Sequence, residues 1–229
     1  MGTGAHFVIP VARWCVWPDA QSSGTERPDV RFVDASLRRR LGPLARAMLH
    51  VAHACAQGVS DLRLVFASRH GELGYTVALL RALAVNEPLS PTVFSLSVHN
   101  AAAGLFSAFR GDRAAASAVA AGDDTLGYAL LEAHCQLAAE PERPVLMVYG
   151  DEPLPQEYRD QAQKESPARS GCAVCVLLAS DAVRRTSVVA EASSGAAASE
   201  HDQAAAFIGH LERRVPVRWV GPATTWSWH

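Results

Sequence analysis

Three short runs limit what this chain can fold into: "LRLVFA" (Leu62–Ala67), "PVLMVYG" (Pro144–Gly150) and "GCAVCVLLA" (Gly171–Ala179). Each is short for a helix and apolar on both faces or nearly so, which describes a strand covered by protein on both sides. Longer segments between them place apolar residues at three- and four-residue steps. Strands alternating with helices predict a layered α/β domain on a mixed sheet. A length of 229 residues allows one large domain or two small ones, and 49% hydrophobic with 19% charged residues is the composition of a folded globular protein.

His6–Trp17, with a rough apolar alternation, is the first strand, and Pro18–Val33 is a loop rich in Ser, Gly, Pro and Asp. The run from Ser36 to Gly58 is helical, with Gly42–Pro43 dividing a short first turn from the main body. A turn, "SRHGELG", leads into a helix over Tyr75–Val85, followed by a loop holding Pro88 and Pro91. "HNAAAGLFSAFRG" is a helix of small residues ending at Gly111. Ser187–Ala192 is a further strand; "EPLPQEYRDQAQKESPARS" (Glu152–Ser170) is polar and exposed, and Ser193–Ser199, "SSGAAAS", is a linker. A helix over Asp202–Arg213 and an extended piece, "VPVRWVGPATTWSWH", complete the chain.

The net charge of −2 gives no reason to expect a polyanion partner, and Arg38–Arg40 is too short a basic run to change that. No window approaches the roughly 18 uninterrupted apolar residues of a membrane span, and the N-terminus lacks a signal-peptide layout, so a cytoplasmic protein is expected. The five cysteines are scattered and odd in number, as free thiols in a reducing compartment are. Cys172 and Cys175 form a C-x-x-C inside a strand, where positions three apart point to opposite faces, so they are expected to be structural rather than zinc ligands. His50 and His53 lie one helical turn apart with no third ligand nearby, and no metal is expected.

One segment has the shape of a catalytic elbow: "ASAVAAGDDTLGYAL" (Ala116–Leu130), a small-residue strand, a glycine turn and an amphipathic helix. Enzymes mount nucleophiles at such turns, yet the apex here is Val119. Asp123 and Asp124 open the helix, where carboxylates stabilise the N-terminus by capping and through the dipole. His70, beside Glu72, and His99, before Asn100, are read as hydrogen-bonded structural histidines, a residue type that can also serve in catalysis.

In order and spacing these motifs resemble the β-ketoacyl synthases of the thiolase fold. "VFASRHGELG" is similar to their early G-x-x-x-x-S-x-x-G elbow, "NAAAGLFSAFRG" (Asn100–Gly111) to their Asn-small-small-small-Gly helix, and the Ala116 elbow to their T-A-C-x-x-G nucleophile turn. "VLMVYGDE" and "SGCAVCVLLAS" resemble two later strands, so the likeness covers about residues 6–192. It implies a layered α-β-α half of a thiolase fold, with one mixed, mostly parallel sheet in a single truncated domain over 1–229. Residues 193–229 would add a C-terminal helix and a Trp-rich tail.

Aligning Asn100, Gly104, Gly122 and Leu126–Gly127 puts Val119 at the family's cysteine, and neither Ala118 nor Ala120 is a nucleophile. The two histidines of the family's second half have no counterpart. The pattern therefore resembles half-length chain-length factors, including "LSVHNAAAG" and the Trp226/Trp228 tail, which accompany ketosynthases of aryl polyene and xanthomonadin-type biosynthesis. The resemblance implies no catalytic residue, an active ketosynthase as heterodimer partner, and no cofactor of its own. The acyl chain would ride on the phosphopantetheine of an acyl carrier protein, bound mainly by the partner. It implies a partner interface at Ala114, Ala115, Ala116, Ser117 and Ala118, and a tunnel lining of Gly71, Gly74 and Ala78, small on one helical face. A half-fold would also leave apolar sheet and helix surface uncovered. For the tail, packing across the half-sheet and contact with a partner both stand open. Two other readings use the same residues: a stand-alone acyl-binding or regulatory protein, and an enzyme with chemistry relocated to His70 or His99.

Overall fold

In the computed structural model, residues 4–19, 27–158, 171–194, 199 and 202–229 are described. Part of the expected loop before Val33, most of the polar stretch after Glu152 and the centre of the Ser193–Ser199 linker lie outside them. The strands are β1 (Ala5–Trp17), β2 (Arg63–Ala67), β3 (Ala116–Val119), β4 (Val145–Asp151), β5 (Cys172–Leu178), β6 (Arg184–Ala192), β7 (Val217–Val220) and β8 (Thr224–Trp228). They form one sheet in the order β3-β2-β4-β5-β1-β6-β8-β7. Helices α2 (Pro43–Cys55) and α5 (Ala101–Arg110) cover one face, and α6 (Thr125–Ala139) with α7 (Gln203–Arg213) covers the other. The α-β-α layering is as expected.

The sheet is mixed but not mostly parallel by pairing. Only β2–β3 and β2–β4 run parallel, while the other five neighbouring pairs are antiparallel. β1 to β4 share one direction, but β5 reverses between β4 and β1, and β6, β8 and β7 add antiparallel edges. Chain direction leaves no trace in an apolar run, so the reversal was invisible in sequence.

The Gly42–Pro43 step does divide the first helix, into α1 (Ala35–Arg38), capped by Asp34, and α2, with Pro43 in its first turn. A short helix, α4 (Pro91–Ser97), stands where a loop was expected, its start capped by the Ser90 side chain. The helix after "SRHGELG" is α3 (Leu73–Ala84). Cys172 packs against the α6 side of the core and Cys175 against the α2 side, the opposite faces their spacing required. Among the described residues no group of three or more His, Cys, Asp or Glu could hold a metal ion. No described helix is long and apolar enough to cross a membrane.

The C-terminal tail is core rather than appendage, which decides between the two readings left open. Trp219, Trp226 and Trp228 are buried in the cluster that also holds Leu126, Leu130 and Phe207. Trp226 lies across α6 at Gly127, where a Cβ would stand 2.4 Å from the indole. Gly104 in α5, by contrast, faces open space. Gly127→Ala is therefore expected to destabilise the chain by about 1–3 kcal/mol through overpacking, and Gly104→Ala to leave stability unchanged or raise it by up to about 1 kcal/mol. Urea unfolding of the two variants checks the pair.

Candidate functional site

The carboxyl ends of β2, β3 and β4 meet at one place, where open α/β sheets carry their ligand sites. β2 delivers Ser68 and Arg69, β3 ends at Val119, and β4 ends at Asp151. Every one of these groups is turned inward. Ser68 Oγ and the Arg69 N–H donate to Asp151 Oδ1 at 2.9 and 2.8 Å, and Tyr149 OH donates to Asp151 Oδ2 at 2.7 Å. The Arg69 guanidinium bridges Asp123, at 2.8 Å, and Asp151, at 3.6 Å. Burial and the Asp151 charge push the Tyr149 phenol well above its ordinary value, so it stays a donor. A network of this kind holds the loops at the elbow in place.

Val119 itself is half-buried and packs against the core on the α6 side. Its carbonyl accepts from the Ser68 N–H and from His99 Nε2, each at 3.2 Å. His99 thus carries its proton on Nε2 and ties α5's leading turn to the elbow. Gly71, at φ 62°, packs beneath that ring: a Cβ would lie 2.9 Å from His99 Nδ1. His70 is exposed.

The two aspartates are not helix caps, contrary to expectation. Asp124 holds the N-cap position without a side-chain capping bond, and its Oδ1 instead accepts from Trp226 Nε1 at 2.8 Å. Asp123 pairs with Arg69. Burial raises the Asp124 carboxyl above its usual range. Thr125 closes the turn in their place, its Oγ1 donating to the Gly122 carbonyl at 2.6 Å and accepting from the Ala121 N–H at 2.9 Å.

Glu72 is the residue the sequence hid. It is buried, and Oε1 accepts from the Ala45 N–H at 2.8 Å, capping α2 from another part of the chain. Gly42 leaves the room for it, since a Cβ there would lie 2.5 Å from Glu72 Oε2. The only early signal was Gly-Pro at a helix start without a side chain able to cap it.

The expected tunnel residues do not share one helical face. Gly71 precedes α3 in a buried turn, whereas Gly74 and Ala78 lie one turn apart on its exposed side. Ala114, Ala115, Ala116, Ser117 and Ala118 lead into or lie on β3, an edge strand paired only with β2 and mostly exposed. The uncovered apolar surface is narrower than expected: both sheet faces are covered. It lies on α3 and α4, which bury Val77 and Leu96 alone while Leu83, Val85 and Phe94 stand 54%, 64% and 60% exposed.

The family description "Beta-ketoacyl synthase, N-terminal domain" matches residues 12–229. The chain belongs to the β-ketoacyl synthase family. The match runs through the Trp-rich tail, past the limit near 192 drawn from motifs. The β-ketoacyl synthase fold is equally clear in solved structures. A chain from the structure described as a ketosynthase (ApeO) in complex with its chain length factor (ApeC), from Xenorhabdus doucetiae, superposes with a TM-score of 0.82. It is 24% identical, covering 97% of this chain and 99% of that one. A β-ketoacyl synthase from Burkholderia phymatum STM815 gives a TM-score of 0.61 at 10% identity over 82% of this chain and 56% of that one. The ishigamide ketosynthase/chain length factor gives 0.55 at 15% identity, over 69% and 51%. The chain thus spans nearly all of the first and about half of the other two. No curated protein sequence matches it significantly.

Burial raises the Glu72 carboxyl from 4.5 to about 7. The folded chain therefore holds this proton more tightly than the unfolded one between pH 4.5 and 7, and its stability falls as pH rises through that window. Glu72→Gln keeps an acceptor for Ala45 and is expected to flatten this loss, which is at most about 3 kcal/mol. Urea unfolding at several pH values in both proteins measures it.

Proposed function

We propose that this chain is a noncatalytic subunit of the chain-length-factor type, pairing with an active ketosynthase and shaping its acyl tunnel, in aryl polyene-type biosynthesis. One observation carries the reading. The elbow survives, but an aliphatic side chain occupies its apex and internal partners consume the polar groups around it. Val119 has no atom able to form a thioester. The whole chain is proposed to act as one truncated domain, with no cofactor of its own.

Two exposed features support an obligate partner. β3 presents unpaired backbone along Ala116–Ala118, where small side chains allow another strand to approach. The α3–α4 surface presents apolar side chains that a permanent interface would cover. In this reading Ala114 to Ala118 meet the partner, and Gly74 and Ala78 on α3 leave room for a growing chain, with Gly71 holding the turn before them. The acyl carrier protein would dock mainly on the partner, which supplies the cysteine and histidines.

The test is condensation by the chain co-expressed with a neighbouring ketosynthase. Activity is expected to persist in Val119→Ala and to vanish when the partner's nucleophile is replaced. Ala78→Phe is expected to shorten the products without dissolving the complex. Loss of turnover in Val119→Ala with the complex intact would contradict a noncatalytic role.

A further inference from the structure

Two sequence doublets, Arg184–Arg185 and Arg213–Arg214, lie almost thirty residues apart, yet three of these four residues line one pocket. It sits at the start of β6, the end of α7 and the end of β8, with β5 and β1 between it and the elbow network in the sheet order. Its volume is about 490 Å³, and it is lined by Val183, Arg184, Arg185, Thr186, His210, Arg214 and His229.

The charge there is unbalanced. Arg31, Arg63, Arg69, Arg81, Arg110 and Arg143 each reach a carboxylate. Among the described residues Arg184, Arg185 and Arg214 form no ion pair. Arg184 and Arg185, successive residues of β6, project to opposite faces of the sheet and are held by carbonyls of different segments: Nη2 of Arg184 donates to Leu211 O at 2.9 Å, and Nη2 of Arg185 to Ser180 O at 3.0 Å. Each guanidinium keeps further N–H groups to offer. Burial together with the Arg214 charge lowers the Arg184 pKa, as expected for a cation lacking its counter-charge.

Arg214 adds an independent observation. It ends α7 at φ 56°, ψ 37°, the left-handed conformation in which helices ordinarily place glycine, and its N–H bonds to His210 O at 2.9 Å. A backbone that would relax with glycine carries an arginine at the rim of a cationic pocket. The floor is rigid: His210 Nδ1 donates to Val215 O at 2.8 Å, and Nε2 faces Thr186 Oγ1 at 3.3 Å.

We propose that this pocket binds a phosphate dianion, either inorganic phosphate or a phosphate monoester carried on a larger molecule. Arginine forks match tetrahedral oxyanions, and two of them, Arg184 and Arg214, with no carboxylate partner among the described residues, match the charge of a dianion. The site is separate from the elbow and stands whether or not the chain pairs with a ketosynthase.

Calorimetric titration of the full chain with sodium phosphate at constant ionic strength tests it. Saturable binding is expected, with dimethyl phosphate, a monoanion, binding more weakly. Arg214→Gly is expected to weaken phosphate binding about tenfold or more while leaving the unfolding temperature unchanged or higher, since glycine relieves the backbone. Arg184→Gln is expected to weaken binding as well. Absence of saturable phosphate binding, wild-type affinity in both variants, or equal affinity for dimethyl phosphate would overturn the assignment.

Discussion

The structure depends on the contact between Trp226 and the elbow helix. The indole lies on α6 at Gly127, donates to Asp124 and is fully buried. A half-length thiolase-type layer has to cover the apolar face of α6 or leave a broad apolar surface in water. Here the chain does it alone: β6, β8 and β7 extend the sheet beyond β1, and α7 lies over them beside α6. Gln203, at the start of α7, accepts from the Gly127 N–H at 3.0 Å and fastens the same junction. The buried aspartate suits this arrangement, since it accepts from the buried Trp226 indole N–H.

With that face closed, the remaining openness falls on β3 and the α3–α4 layer. The elbow between them is held by internal contacts: Ser68, Arg69, Asp123, Tyr149 and Asp151 bond to one another, and Val119 fills the apex. Framework and surface thus diverge: the catalytic scaffold is preserved as a rigid mount, and the exposed parts are those suited to another chain. Shared fold alone does not establish activity, so weight rests on what the elbow's side chains do.

Much of this was legible in sequence. The strands announced themselves through apolar runs without a polar face, and Gly42–Pro43 marked a helix start. Local rules failed where the deciding partner lies far away. Asp123 and Asp124 obey the rule for caps, but Arg69 and Trp226 claim them from 54 and 102 residues away. Pro91 reads equally as a loop residue and as the first residue of a helix capped by Ser90, and the packing of α3 against α4 selects the helix. Glu72 caps a helix whose first turn lies nearly thirty residues earlier, and no spacing rule reaches that far. The Trp-rich tail could be assigned only once its burial was visible.

In the proposed reading this chain is completed by another. Light scattering on the chain expressed alone, and then with a ketosynthase encoded beside it, tests that. A soluble 1:1 heterodimer is expected on co-expression, with a chain that self-associates or fails to stay soluble when alone. A stable monomer that ignores the ketosynthase would contradict it.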